Sequence, residues 1–219
     1  MEHLARDPAP RTQVYHLMEE GMSFKVTVTL HARRVEKWIR AVKRDYLDNA
    51  QIKCVGLDCE FTNHHEGDQR AAVLQLSICH ADEVPQVLRE FLQDRNLRFC
   101  GAAISKDVEM LSPYGIHITS AYDLQKILPN PTNNHIPSLY DLTNSIIGIN
   151  LEKKKKRKKY KKKDAVQEKE DELIFGWANV PLSYEQVRYA VLDARLGFEM
   201  ARRHWMLVGY NNHVDCLNI

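Results

Sequence analysis

The sequence predicts a mixed α/β domain, and three observations support that prediction. Segments with strand periodicity come first, and segments that alternate between strand and helix follow them. The chain has 219 residues, 44% of them hydrophobic, which is enough for one sizeable core. A long capped helix comes last. We therefore expect a single domain over residues 23–219, preceded by a flexible tail over residues 1–22 that contains Pro8 and Pro10.

The sequence of the first part of the domain predicts three strands and one helix. Residues 24–30 alternate between apolar and polar side chains, as a strand does. Residues 32–47 carry apolar side chains at helical spacing. Two more strands are expected at residues 54–61 and 71–78, on either side of a polar loop.

The middle of the chain alternates between the two kinds of element. Residues 84–94 predict a helix with a proline in its first turn, and residues 97–104 predict a buried strand. A short helix then begins at Ser105. Residues 117–128 predict a strand that leads into a helix, and residues 136–151 contain one more helix.

A charged insert over residues 152–172 interrupts this pattern and conceals the charge of the folded body. The formal net charge is +2, but removing the ten basic residues of the run "KKKKRKKYKKK" leaves 21 basic against 29 acidic residues, a balance of −8. These ten are Lys153, Lys154, Lys155, Lys156, Arg157, Lys158, Lys159, Lys161, Lys162 and Lys163. They predict a nucleic-acid-binding patch that follows phosphates, or a nuclear import signal, with a solvated loop as the alternative.

Two acids stand on one face of the strand within "VGLDCEFTN". A strand has a period of two, so Asp58 and Glu60 project to one side and Leu57 and Cys59 to the other. Two like charges side by side are costly to bury unless a cation neutralises them. In isolation, however, a D-x-E pair is expected about once by chance in a chain this acidic.

Three further residues follow later elements. Asp107 lies at the start of a helix just after a buried strand, although an acid there can also simply complement the helix N-terminus. Ser183 begins the last helix with an S-x-x-Q capping box. Tyr189 and Asp193 are four residues apart on that helix and share a face, although each could be an ordinary phenol or surface acid.

Four carboxylates in one cleft would repel each other strongly, and hard divalent cations relieve that repulsion. Mg²⁺ and Mn²⁺ prefer carboxylate oxygens, and two such ions about 4 Å apart suit phosphodiester cleavage. One ion activates the attacking water and the other stabilises the departing 3′ oxygen. A tyrosine hydroxyl beside the water can orient it.

Composition bounds the remaining possibilities. The five cysteines are scattered and lack C-x-x-C spacing, which indicates reduced thiols in an intracellular protein of the nucleus or the cytoplasm, or of both. The chain contains no apolar stretch long enough to span a membrane, and its polar start lacks the apolar segment of a signal peptide. We therefore expect neither a membrane partner nor secretion.

Four stretches resemble the characteristic segments of one enzyme family. "VGLDCEF", "CGAAISKDVEML" and "GWANVPLSYEQVRYAVLDARLGFEM" are similar to its first, second and third motifs, and "PSLYDLTNSIIG" is similar to the helix before the third. The family is that of the 3′–5′ exonuclease domains of the DEDD superfamily, in the branch that contains ribonuclease D and the Werner syndrome exonuclease. The resemblance extends over about residues 24–205.

The resemblance implies a fold, a reaction and a set of site residues. The fold is a ribonuclease-H-like mixed sheet flanked by helices. The reaction releases nucleoside 5′-monophosphates from a 3′ end of RNA or DNA, single-stranded or frayed, with two Mg²⁺ or Mn²⁺ ions. By position, the metal ligands are Asp58, Glu60, Asp107 and Asp193, and Tyr189 is the residue that orients water, which indicates the tyrosine-type subgroup.

One departure from the family pattern concerns the sheet. The third antiparallel edge strand is expected to be missing, because "AAVLQLSI" continues through "CHAD" into the next helix. The strand at residues 71–78 would then be an exposed edge, which predicts a homo-oligomer or lowered stability. It also leaves open an alternative function, an exonuclease fold that binds nucleic acid or serves as an adaptor without turnover. The sequence does not decide between RNA and DNA.

Overall fold

A computed structural model gives the structure of the chain over six ranges. They are residues 11–19, 22–62, 71–75, 84–149, 176–178 and 180–210. The strands are β1 (Thr12–Glu19), β2 (Met22–Thr29), β3 (Cys54–Gly56), β4 (Asp58–Phe61), β5 (Ala71–Gln75), β6 (Arg98–Gly101) and β7 (Ala121–Asp123). The helices are α1 (Ala32–Val42), α2 (Gln86–Gln93), α3 (Ile104–Leu111), α4 (Leu124–Ile127), α5 (Leu139–Ile147) and α6 (Tyr184–Val208). Within these ranges, no helix has the length and apolarity needed to cross a membrane.

Three parallel strands form the centre of the fold, in the order β3–β6–β7. Val55 lies opposite Phe99, and Phe99 lies opposite Ala121. The side chains of this sheet alternate between two apolar cores. Phe99 and Ala121 belong to the core with α1 and α2, while Cys100 and Tyr122 belong to the core with α5 and α6. The predicted mixed α/β architecture, a sheet flanked by helices, is confirmed.

The strand predicted over residues 54–61 is divided at Leu57. Residues before it pair in parallel with β6, and residues after it pair antiparallel with β5. The Leu57 amide still donates to the Cys100 carbonyl at 2.8 Å, so the chain changes its pairing partner without leaving the sheet. This change carries the residues from Asp58 onward past the C-terminal end of the parallel strands.

An N-terminal hairpin corrects one expectation. Residues 1–22 were expected to be a flexible tail, but β1 pairs antiparallel with β2 along its whole length. Leu17 and Val26 are buried against Val187 of α6, which explains why the segment is ordered. The alternation of Tyr15 and Leu17 was the available signal. Residues 1–10 lie outside the described ranges.

The other boundaries agree with the periodicity to within a few residues, with two additions. After α1, one π-helical turn continues over Lys43–Leu47, so the predicted helix at 32–47 has two parts. After α3, a 3-10 turn over Ser112–Tyr114 ends at Gly115, whose φ of 65° is left-handed. The predicted absence of a third antiparallel strand concerns residues 76–83, which lie outside the described ranges, as does the charged insert at 152–172.

Candidate metal centre

Three carboxylates from two elements meet beyond the C-terminal end of the parallel strands. Asp58, Glu60 and Asp193 each offer one oxygen, and these three oxygens lie within 4.8 Å of one another. All three side chains are half-buried, so the cluster is accessible from one side. Side chains 133 to 135 positions apart in the chain are therefore brought together.

Strand β4 positions the first two acids. Asp58 lies opposite Gln75 and Glu60 opposite Val73 in the antiparallel pair with β5. Cys59, between them, is 4% exposed and belongs to the core. Because the apolar side chain faces inward, the two acids project together from the other side of the strand.

Close packing of α6 on the sheet positions Asp193. A Cβ atom on Gly56 would lie 1.8 Å from the Ala194 carbonyl oxygen, so only glycine permits this approach. The helix begins at the predicted capping box, in which the Gln186 amide donates to Ser183 Oγ at 3.3 Å. The cap fixes where the helix starts, and Gly56 fixes how near Asp193 comes to Asp58.

Asp107 lies in the first turn of α3 and is 4% exposed. It is not a member of the three-carboxylate cluster, but the charge of Asp58 contributes to its raised pKa, so it lies close by. Among the described residues, its buried Oδ2 atom has no hydrogen-bond partner. A buried carboxylate oxygen without a partner is costly, and a cation would satisfy it.

The turn before α3 is fixed by a neighbouring strand. Ala103 has a left-handed φ of 57°, which is uncommon for a residue with a Cβ atom. Its amide donates to Asp123 Oδ1 at 3.1 Å, and the same carboxylate caps α4 by accepting from the Gln125 amide at 3.0 Å. This contact holds the turn that directs Asp107 towards β4.

Two phenols flank Asp193. Tyr189, four residues earlier on α6, packs against the buried Trp177 with ring centroids 6.1 Å apart. Tyr140 of α5 donates from Oη to Asp193 Oδ1 at 3.4 Å. Sequence reasoning singled out Tyr189 but missed Tyr140, although its helix resembled a family segment. Nothing in the local pattern indicated a contact between residues 53 positions apart.

The acids raise one another's pKa values. Burial, followed by the charges of Asp193 and Glu60, raises the pKa of Asp58. Burial raises the pKa of Asp193 to about 6, although hydrogen bonds from Tyr189 and Tyr140 oppose the shift. Burial and the charge of Asp58 raise the pKa of Asp107 to about 8. The pKa values of Asp58, Asp107 and Asp193 thus all stay raised, and such a group of acids suits a hard divalent cation.

The proposed nucleic-acid-binding lysines at residues 153–163 lie outside the described ranges. Their relation to the acids therefore stays a prediction.

The fold and the acidic cluster define a nuclease-type domain, and comparison with known proteins gives its family. The profile of the 3′–5′ exonuclease family matches residues 41–203, which is most of the chain. The chain belongs to this family, within the DEDD exonuclease superfamily, and its fold is ribonuclease-H-like.

One curated relative shares a segment with the chain. The two are 34% identical over 85 residues, and the relative is exonuclease 3′-5′ domain-containing protein 2 of Drosophila melanogaster. The match covers 34% of this chain and 15% of the fly protein. The chain therefore corresponds to a small part of that relative.

Two solved structures show the same fold at low sequence identity. The catalytic core of RRP6 from Trypanosoma brucei (mutant C496S) has a TM-score of 0.53 and 16% identity, covering 83% of this chain and 47% of that one. Brucella melitensis NrnC bound to pGG has a TM-score of 0.50 and 16% identity, covering 76% and 79%.

Proposed function

We propose that this protein is a divalent-metal-dependent 3′–5′ exonuclease of the tyrosine-type subgroup. It hydrolyses phosphodiester bonds at the 3′ end of RNA or DNA and releases nucleoside 5′-monophosphates. The observation that carries the proposal is the meeting of Asp58, Glu60 and Asp193, whose oxygens lie within 4.8 Å of one another in a family of 3′–5′ exonucleases. A binding module without turnover has no need to bury such a cluster.

The four acids would hold two Mg²⁺ or Mn²⁺ ions. Asp58, Glu60 and Asp193 supply the converging oxygens, and Asp107 supplies a buried oxygen that lacks a partner among the described residues. When bound, the ions supply the positive charge that activates a water molecule and stabilises the departing 3′ oxygen. The carboxylates keep the cluster anionic, so it attracts these ions and repels a phosphodiester until they are bound.

Tyr189 would orient the attacking water. Its ring is held against Trp177, which is 4% exposed, so the phenol has a fixed direction. Burial, followed by the charges of Asp193 and Glu60, raises the pKa of Tyr189, so its hydroxyl lies near the acids. A hydroxyl in that position can hold a water molecule in line with the phosphorus atom.

The substrate would be the 3′ end of a single strand or of a frayed duplex. A solved relative in fold, NrnC, was bound to pGG, which supports a site for a nucleotide strand. The lysine run at residues 153–163 would contact the phosphates without reading the bases, and this binding would weaken steeply with salt.

The test incubates the full chain with 5′-labelled and 3′-labelled RNA and DNA in Mg²⁺, Mn²⁺ or EDTA. We expect stepwise shortening from the 3′ end with either metal and none in EDTA. Asp58→Ala with Glu60→Ala should lower the rate by more than about 100-fold. Mutating even a residue that only hydrogen-bonds to a metal ligand lowers activity by up to about 100-fold. Asp45→Ala with Glu109→Ala, two exposed acids elsewhere, is the matched control.

Two outcomes would contradict the proposal. Equal degradation by wild type and the Asp58/Glu60 double variant would assign the activity to a contaminant or another site. Folded wild-type protein that shortens no strand in either metal would leave the acids without a catalytic role.

A further inference from the structure

Helix α5 brings a second phenol to the candidate metal centre. Tyr140 Oη donates to Asp193 Oδ1 at 3.4 Å, a long hydrogen bond between residues 53 positions apart. The charge of Asp58 also acts on this phenol. Tyr140 therefore faces the acidic cluster, from a helix other than the one that carries Asp193.

The first turn of α5, which contains Tyr140, is fixed independently of the acids. Ser138 and Asp141 form a capping box, in which the Asp141 amide donates to Ser138 Oγ at 3.2 Å and the Ser138 amide donates to Asp141 Oδ2 at 3.0 Å. The residue before the cap is held as well, because Gln125 Nε2 donates to the Pro137 carbonyl at 2.7 Å. The start of the helix thus has little freedom to move.

Contacts further along α5 fix its register against α6. Thr143 Oγ1 lies 3.7 Å from Met200 Sδ, and Arg203 Nη1 donates to the Ile146 carbonyl at 3.0 Å. Leu142 is fully buried in the core with Met200. These contacts hold α5 against α6, so the phenol meets α6 at a defined height.

Asp193 requires a restraint because it lies beside two other carboxylates. Repulsion from Asp58 and Glu60 favours rotation of its side chain away from them, which would open the cluster. Tyr189 moves with Asp193, since both lie on α6. A hydrogen bond from α5 opposes the rotation from a separate element, in addition to the hydrogen bond that Tyr189 makes from α6.

We infer that Tyr140 is a positioning residue that holds the Asp193 carboxylate in the orientation needed to bind a divalent ion. The inference rests on the proposed function, since it assumes that Asp193 is a metal ligand. Tyr140 acts through Asp193 and does not itself touch the ion or the substrate. Outer hydrogen-bond partners of this kind typically change metal affinity by about 10–100-fold.

The test measures Mn²⁺ binding by the full chain with titration calorimetry, after the protein has been stripped with EDTA. Tyr140→Phe removes only the hydroxyl and should weaken Mn²⁺ binding about tenfold, at the lower end of that range because the hydrogen bond is long. Tyr46→Phe, whose side chain is 74% exposed in the π-helical turn after α1, is the matched control and should bind as wild type does.

A double-mutant cycle separates positioning from packing. If Tyr140 acts through Asp193, adding Tyr140→Phe to Asp193→Ala, which removes the acceptor, should change Mn²⁺ affinity by less than about twofold. An equal loss in both backgrounds would overturn the inference, because the hydroxyl would then matter independently of Asp193. The cycle remains decisive if Tyr140→Phe lowers thermal stability, since a packing defect would add to the Asp193→Ala effect.

The two levels of proposal fail in different ways. Wild type that binds Mn²⁺ and degrades a strand while Tyr140→Phe binds Mn²⁺ equally well would overturn only the role of Tyr140. Wild type that binds no Mn²⁺ would overturn both proposals.

Discussion

The two ends of the parallel sheet hold buried charges of opposite sign, and the chain treats them differently. At the C-terminal end, Asp58 and Asp193 lie together and burial raises the pKa of each. At the N-terminal end, Arg98 begins β6 and is 6% exposed. The parallel sheet thus has a buried cation at one end and a group of half-buried acids at the other.

The cation receives its compensation from the chain itself. The Arg98 guanidinium lies 5.2, 4.7 and 4.0 Å from the ring centroids of Tyr122, Trp205 and Tyr210. It also donates through Nη2 to the Tyr210 carbonyl, although its buried Nη1 has no hydrogen-bond partner among the described residues. Aromatic faces attract a desolvated cation by about 2 kcal/mol or more each. This end of the sheet is therefore a structural site.

Asp58, Asp107 and Asp193 receive less compensation from the described residues. The Cys59 backbone opposes the raised pKa of Asp58, Lys106 opposes that of Asp107 and two phenols oppose that of Asp193, yet all three pKa values stay raised. Asp107 Oδ2 has no hydrogen-bond partner among the described residues, and burial, followed by the charges of neighbouring acids, raises the pKa values of Asp58 and Asp107. The difference indicates which buried charge serves the fold and which serves a ligand. A charge that the fold leaves uncompensated is the better candidate for function.

The largest expected effect is a loss of stability at the Arg98 end of the sheet that leaves Mn²⁺ binding at the acidic end unchanged. Arg98→Ala should lower the free energy of unfolding by about 3–4 kcal/mol, because it leaves a cavity among three rings and removes their cation. Thermal unfolding in EDTA measures this loss. Mn²⁺ affinity of the folded variant should stay within about twofold of wild type, and Arg33→Ala, exposed on α1, is the matched control. A parallel loss of Mn²⁺ affinity would show that the ends are coupled.

The pH dependence of stability should reveal the raised pKa values of Asp193 and Asp107. The pKa of Asp193 is raised from an ordinary 3.8 to about 6, and that of Asp107 to about 8. Between the ordinary and the raised pKa of each acid, the native state binds more protons than the unfolded chain. The free energy of unfolding in EDTA should therefore fall as pH rises from about 4 to about 8. Asp193 alone would contribute a loss of about 3 kcal/mol, complete above about pH 6.

Urea denaturation across that pH window measures the decline. Asp193→Asn should flatten its lower part, while Arg98→Ala should leave the slope unchanged although stability is lower throughout. Saturating Mn²⁺ should remove the decline, because the ion favours the charged carboxylates. Stability that rises with pH over this window would contradict the assignment of raised pKa values to the acids.

A smaller effect tests how the acidic end is assembled. Gly56→Ala places a methyl group against the Ala194 carbonyl, so α6 must shift and carry Asp193 with it. We expect a loss of about 2 kcal/mol in the free energy of unfolding, together with weaker Mn²⁺ binding. Gly148→Ala, which has a left-handed φ but open space around the new methyl, should lower stability without changing Mn²⁺ affinity. Equal Mn²⁺ affinity in both variants would show that the position of α6 does not determine Mn²⁺ binding.

Sequence reasoning could predict the elements of this fold because their periodicity is local. The S-x-x-Q cap at Ser183 and the inward-facing Leu57 and Cys59 follow from residues only a few positions apart. The acids could be predicted because charged residues on an apolar strand and on a capped helix are conspicuous. The prediction that these acids meet in three dimensions depended on the resemblance to a family.

What the sequence could not predict depends on contacts between distant residues. A basic residue such as Arg98 at the start of a strand normally indicates the surface, and nothing near it indicates three rings that surround it. Tyr140 is one aromatic residue in a helix, and its significance depends on Asp193. The division of the strand at Leu57 depends on a change of partner from β6 to β5, whereas the alternation of apolar residues continues across it without interruption.

The packing of Gly56 against Ala194, which are far apart in the sequence, has a consequence for biosynthesis. The first two acids leave the ribosome well before the helix that carries the third, so a nascent chain that ends before Asp193 lacks the third converging oxygen. Contacts of such long range also form slowly, since the ends of a large loop must first meet. Any hydrolytic capacity of this centre is thus withheld from partial translation products and arises only with the completed domain.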